Sequence, residues 1–348
     1  MNRRLSLTAA LAFGAGICLA GCKRSETPQF VAAAQRKQLS QELQSAVQTE
    51  LTKYTGSFEH PKLLTDADEP AVDLSRGQAV YQERCVQCHG VSGDGQGPTA
   101  QYMYPKPRDY RAGMFKFISA TYGSRPLRSD LLRTVKNGIR GTSMPAFNLL
   151  PESDQQAVVD YVMMLARRGE VEQLLTQLAE ADEAIEPDAV KEDVIDIVLR
   201  RWNDASEAEV RPLTRQPKFT SEHVARGKVA FLTKGCSKCH GEDGRGQMKD
   251  NRGTDMWGHT TRAADLTSGI LHGGAQPFDI YRRIYSGING TPMPGFASSL
   301  QSEPDTIWDL VSYVLYVSNR RREGERPLPG PINPYVPAPP AAPAQASR

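Results

Sequence analysis

Residues 83–90 read ERCVQCHG, and residues 233–241 read TKGCSKCHG. Two cysteines three positions apart, followed at once by a histidine, stand twice in one chain: Cys85, Cys88 and His89, then Cys236, Cys239 and His240. Working outward, the companions repeat too. Upstream lie Arg76-Gly77 and Arg226-Gly227, each with an aromatic residue four positions after the glycine, Tyr81 or Phe231. Downstream come the glycine-rich stretches GVSGDGQGP and GEDGRGQ, then SDLLRTVKNGIRG and FDIYRRIYSGING, then TSMPAF and TPMPGF. Each copy closes with an apolar helical pattern, QQAVVDYVMMLARR or DTIWDLVSYVLYVSNRR. Chance would not bring the same companions in the same order, so the chain holds a tandem repeat, over 74–168 and 220–324.

A Cys-x-x-Cys pair has three main readings. Structural zinc needs four ligands, and a second close Cys or His pair usually closes the tetrahedron. Here the other cysteine pair is 151 positions away, in the other repeat. A thioredoxin-like redox pair expects a βαβ setting, which the sequence lacks. Cys-x-x-Cys-His reads as covalent c-type haem attachment. Two thiols one helical turn apart can bond the two vinyl groups of one haem, and the next residue comes beneath its iron. Cys85 with Cys88, and Cys236 with Cys239, are therefore expected to bind two covalent haem c groups, with His89 and His240 as iron ligands.

Met144 and Met293 occupy matching places for the opposite ligands. A methionine more often fills a core. Both, however, lie late in the repeat, after glycine turns, and precede Pro145 or Pro294, which suits a loop and not a helix interior. Of the other histidines, His60 and His223 lie outside the span from motif to methionine. His259 and His272 fall inside it, only in the second repeat, and His259 stays open as an alternative ligand.

The chain has 348 residues and a net charge of +2 from 42 basic and 40 acidic residues, enough length for two or three domains. Residues 1–21 read as an export signal: a basic start, a short apolar run, and Leu19-Ala20-Gly21 before Cys22. That resembles a bacterial lipobox, which predicts lipidation at Cys22 and a periplasmic protein held at a membrane by its lipid. Within residues 22–73, Leu39, Leu43, Val47 and Leu51 predict an amphipathic helix, followed by an extended connector. Residues 169–219 form an acidic linker; 169–210 hold 13 Asp/Glu against 3 Lys/Arg. Apolar residues at 171, 174, 175 and 178, then at 190, 194, 197 and 198, predict a helical hairpin with Pro187 opening its second arm. Its acids either steer a partner or form a solvated face against the chain's own basic domain. Residues 325–348 are rich in Pro and Ala and read as a disordered tail. The fold expected is all-α: two tandem domains joined by an acidic helical hairpin.

Both repeats resemble class I cytochrome c domains, most closely those of subunit III of cbb3-type oxidases. The resemblance implies that the opening and closing helices cross, Gly77 and Tyr81 meeting Tyr161, and Gly227 and Phe231 meeting Tyr313. It also implies a proline carbonyl that accepts the histidine's ring N–H and fixes the ring. Pro98 matches; Lys249 stands at the corresponding distance in the second repeat, which departs from the pattern. Arg108, Arg262 and Trp257 are candidates for contact with the haem carboxylates, exposed loop positions being the alternative for the arginines. The stretches PKPRDY and GMFKF decorate only the first repeat.

A haem with His and Met ligands has no open coordination site and suits one-electron transfer. The expectation is an electron-transfer protein, not an enzyme, passing electrons from a quinol-oxidising complex to a terminal cytochrome oxidase. A fixed cytochrome subunit of a periplasmic dehydrogenase or oxidase is the alternative. The matched methionines argue against a dihaem peroxidase, and no nucleic-acid partner is expected.

Overall fold

The computed structural model describes residues 28–246, 248 and 252–319. The signal segment with Cys22, Lys249 and the Pro/Ala-rich tail lie outside the described residues. In chain order the helices are α1 (Gln41–Thr55), α2 (Ser75–Arg84), α3 (Val86–His89), α4 (Arg128–Asn137), α5 (Glu152–Asp182), α6 (Pro187–Ala189), α7 (Asp196–Asn203), α8 (Ser221–Thr233), α9 (Cys236–His240), α10 (Pro277–Ser286) and α11 (Thr306–Asn319). A π-helical stretch, Val190–Ile195, joins α6 to α7. Among the described residues a small antiparallel ribbon, β1 (Arg252–Thr254) with β2 (Thr260–Arg262), is a minor addition to a helical fold of the kind expected.

Each repeat is closed by a helix crossing that its glycine permits. Gly77 of α2 faces the backbone of Ala157 in α5, and Gly227 of α8 faces that of Asp309 in α11. A methyl group at either position would collide with a carbonyl, which allows no cheap adjustment. One turn on, Tyr81 packs on Tyr161 with ring centres 5.2 Å apart, and Phe231 on Tyr313 at 5.1 Å. The pairs expected from the resemblance thus meet. Arg76–Asp154 (2.7 Å) and Arg226–Asp309 (2.8 Å) flank the two crossings. Both arginines are more than half exposed, so each pair is a weak, solvent-screened contact.

The boundary expected at residue 168 is not a break. α5 runs unbroken through it, so the first arm of the acidic hairpin is the closing helix of the first repeat, continued. The chain turns after Asp182 and returns from Pro187, which occupies the first turn of α6 as its fixed φ suggests. The hairpin is not a tether. Val171, Leu175, Val190, Val194, Val198 and Trp202 share one core with Tyr81 and Tyr161, and Val47 and Leu51 of α1 join it. Its inner acids are tied down as well. Glu170 accepts from the Arg125 guanidinium (Nε, 2.9 Å) and from the Trp202 indole (2.7 Å), and Glu172 pairs with Arg36 (3.1 Å).

The GMFKF decoration has a visible use. It opens a strap, 115–124, that fastens the first repeat to the second and to the segment leading into it. Lys116 pairs with Asp255 (2.9 Å), and Arg283 donates to the carbonyls of Lys116 (3.1 Å) and Ile118. Asn289 accepts from Gly123 N (2.9 Å) and donates to Ser124 O (3.2 Å). Ala120 bridges antiparallel to Glu209. Among the described residues, no helix is long and apolar enough to cross a membrane.

Candidate functional site

The two Cys-x-x-Cys-His motifs lie on short helices, α3 and α9, that end in Gly90 and Gly241. Both glycines take a positive φ near 74°, which turns the chain sharply after the histidine. The glycine-rich loop then wraps back: Gly95 N donates to His89 O (2.9 Å), and Gly246 N to His240 O (2.7 Å). Among the described residues no disulfide ties up Cys85, Cys88, Cys236 or Cys239, so all four sulfurs are available to bond a haem.

The histidine rings are fixed by carbonyls far along the chain. His89 Nδ1–H donates to Arg108 O (3.2 Å), and His240 Nδ1–H to Ala264 O (3.0 Å). A carbonyl can only accept, so the proton sits on Nδ1 and Nε2 keeps its lone pair, the state a metal ligand needs. Burial holds His89 down at about 4 and also lowers His240, so neither ring is charged near neutral pH.

This corrects the expectation for Pro98. Pro98 is exposed, and its carbonyl accepts from the Gln101 side chain (3.4 Å), not from His89. The acceptor is Arg108, ten residues further on. Because Ala264 does the same in the second repeat, the two histidines are held alike.

Met144 and Met293 sit in matching loops. Ile139 N donates to Met144 O (3.1 Å), and Ile288 N to Met293 O (3.2 Å). The Thr142 and Thr291 hydroxyls accept from the methionine N–H groups at 3.1 and 3.3 Å. One cavity of about 1000 Å³ takes in both sites: Cys85, His89 and Met144 line it, as do Cys239, His240 and Met293. That is the upper end of the roughly 300–1,000 Å³ usual for one small-molecule site. Its wall is mainly apolar, with eight Lys/Arg against two Asp. A flat apolar macrocycle bearing two carboxylates fits such a wall, so the residues present suit two haems. Among the described residues, no group of three or more His, Cys, Asp or Glu could hold a bare metal ion.

The remaining candidates separate. Arg108 and Arg262 line the cavity. Trp257 does not; it stacks on Arg108, whose guanidinium is 3.5 Å from the ring centre. His259 touches the cavity wall, with its ring 3.9 Å from Asp255. His272 donates through Nδ1 to Arg140 O (2.5 Å), across the two repeats. His60 is exposed, and His223 caps α8 with Thr220. Sequence reasoning missed Lys116, Asp255 and Arg283; the unmatched GMFKF stretch was the available signal for the first of these.

Residues 72–162 match the family model described as cytochrome c oxidase, cbb3-type, subunit III, and residues 224–318 match that of cytochrome c. Among curated proteins the chain is similar to a cbb3-type cytochrome c oxidase subunit CcoP of Helicobacter pylori, 23% identical over 251 residues, covering 67% of this chain and 60% of the relative. The corresponding subunit of H. pylori strain ATCC 700392 is 24% identical over 200 residues, covering 56% of this chain and 44% of the relative. The chain thus spans about half the length of the curated relatives it matches. Among solved structures, a chain of the reducing HAO-like protein complex of Kuenenia stuttgartiensis is 30% identical, with a TM-score of 0.53, over 70% of this chain and 96% of that one.

Proposed function

This chain belongs to the dihaem class I c-type cytochromes, with two covalently bound haem c groups, and from that premise we propose that it carries single electrons in an exported respiratory chain, from a quinol-oxidising complex to a terminal cytochrome oxidase. Each haem supplies a one-electron couple; the chain supplies position, burial and charge. Cys85 and Cys88 hold one haem, and Cys236 and Cys239 the other. His89 and Met144 would ligate the iron of the first haem, and His240 and Met293 that of the second. Methionine opposite histidine raises the potential, and two protein ligands leave no place for a substrate. Arg108 and Arg262, which line the cavity, would pair with the haem carboxylates.

The observation that carries this reading is the shared cavity. Both ligand sets line one space, so an electron received at one repeat can leave from the other without a second protein encounter. The lipobox ending in Cys22 supports a lipid-anchored protein on the periplasmic face of a membrane. A second reading, a fixed subunit of an oxidoreductase complex, is favoured by the relatives: two are named as oxidase subunits, and one comes from a protein complex.

The test is a potentiometric titration of the reduced-minus-oxidised spectrum. Two one-electron couples are expected, each with the near-infrared methionine–iron band. A haem lacking that band, with rapid peroxide turnover, would overturn the carrier reading. Recovery from solubilised membranes, alone or with stoichiometric partners, separates carrier from subunit.

A further inference from the structure

The site of the first repeat is completed by a residue of the second. Arg108 holds His89 through its carbonyl, and its guanidinium lies against the face of Trp257. Trp257 stands in the turn between β1 and β2, where its backbone N–H donates to Asp255 Oδ1 (3.1 Å). The other oxygen of Asp255 takes Lys116 of the first repeat (2.9 Å). The turn is therefore fastened to the first repeat at two points. Arg108 lines the shared haem cavity, whereas Trp257 lines a neighbouring polar cleft of about 940 Å³. The indole is thus the layer between the guanidinium and that cleft. The Arg108 side chain is itself half-buried, held between the cavity and the indole. The second repeat has Ala264 in the place of Arg108, with no cation to cover.

We infer that Trp257 is a positioning residue for the haem of the first repeat and not for that of its own: it keeps water from Arg108 and, through the Arg108 carbonyl, holds the His89 ring. This rests on the ligation proposed above for His89 and Met144. A desolvated cation beside a haem disfavours the oxidised, more positive state, and solvent access is one of the levers on a haem potential. Opening the indole layer lets water screen that cation and lowers the potential.

The test uses full-length, haem-loaded protein and resolves its two couples. In Trp257→Ala, one couple becomes about tenfold harder to reduce, a fall of about 59 mV for one electron, and the other holds. Met144→His identifies the couple of the first haem by changing its ligand. Trp257→Phe keeps a ring face on Arg108 and stays near the native value. Trp257→Leu fills the space without a ring face and gives the same reading should the alanine variant fail to fold. A shift in the couple that Met144→His moves supports the inference. A shift in the other couple, or in neither, overturns it. If Met144→His moves neither couple, the ligand assignment itself fails, and the inference fails with it.

Discussion

Arg108 and Ala264 occupy the same place in the two repeats. Each offers its carbonyl to the motif histidine, and each lies two residues before a backbone bond to the glycine-rich loop, Tyr110 N to Gly93 O (2.7 Å) and Leu266 N to Gly244 O (2.8 Å). The backbone device is shared; the side chains are not. His89 stacks on Tyr110 with ring centres 4.7 Å apart, whereas Leu266 stands at that place in the second repeat. The first repeat also carries α1, the hairpin and the strap, and among the described residues the second shows no counterpart to them. The haem-holding backbone is thus common to both halves, and what separates them is packed around it from outside, partly by the other half.

The largest effect should come from parting the halves. Lys116 and Asp255 are 17% and 3% exposed in their side chains, so the pair is effectively buried. Removing one partner of such a pair costs about 3–5 kcal/mol, because the other charge is left unpaired. Lys116→Met should split the thermal unfolding of the haem-loaded protein into two steps, read by calorimetry. A single unshifted transition would show that the strap does not couple the halves. Acid should act through the same pair. Burial works to raise the Asp255 pKa, but Lys116, the His259 backbone N–H and Arg108 outweigh it and hold the carboxyl below its ordinary 3.8. A depressed folded-state value stabilises the interface at neutral pH, and that contribution is lost as the pH falls through the lowered value. The split should therefore also appear in wild-type protein below about pH 4, and be absent at pH 6.

The next effect tests what the halves share. Gly77→Ala and Gly227→Ala each push a methyl group into the carbonyl of a crossing helix, at a cost of about 1–3 kcal/mol or more. The two losses should be similar, because the crossings are built alike. They should fall on different halves, which the visible band of each haem can follow during melting. A neutral Gly227→Ala would mean that α8 and α11 can separate without loss.

The motif and its companions were legible because they are local. Cysteine spacing, an aromatic one turn after a glycine, and Met-Pro after a glycine turn are patterns of residue identity. The carbonyl under each histidine was not legible, because every residue has a carbonyl and identity does not mark the one that is used. Pro98 matches the proline that the resemblance implies, yet its carbonyl turns elsewhere. The chain instead folds back so that Gly95 lies against the Pro107 carbonyl, which brings Arg108 beneath the ring. The continuation of α5 through Gly169 was not legible for a related reason. Glycine weakens a helix. Here its missing side chain lets the backbone at Arg111 cross against α5, a long-range need that a helical period does not reveal.

A smaller change would make the first repeat resemble the second at one contact. Tyr110→Leu installs the residue type of Leu266 and removes the stack on His89, a loss of about 0.5–1.5 kcal/mol for an aromatic pair. Stability should fall by at least that amount, because Tyr110 also stacks on Phe115 with ring centres 5.6 Å apart. The couple that Met144→His moves should shift less than it does in Trp257→Ala, since the Arg108 carbonyl still holds the ring. A larger shift than in Trp257→Ala would make the stack, and not the carbonyl, the main constraint on His89.

The smallest structural effect, and the one that separates folding from steering, concerns the outer face of the hairpin. Of its 13 acids, Glu170 and Glu172 are buried in ion pairs, and the other eleven are exposed. Deleting the hairpin would remove core residues such as Leu175 and Trp202, so its loss would say nothing about charge. Changing Glu180, Asp182, Glu183, Glu186 and Asp188 to their amides leaves the inner face intact. Surface changes of this kind usually stay within about 0.5 kcal/mol, so the melting temperature should hold. If the outer face steers a cationic redox partner, the second-order rate of electron exchange with such a partner should fall at low salt and flatten against ionic strength, because exposed charges are screened within about 8–10 Å at 0.10–0.15 M salt. A rate and salt slope equal to wild type would leave these acids as a solvated face that keeps the hairpin soluble, and would put the docking surface elsewhere on the chain.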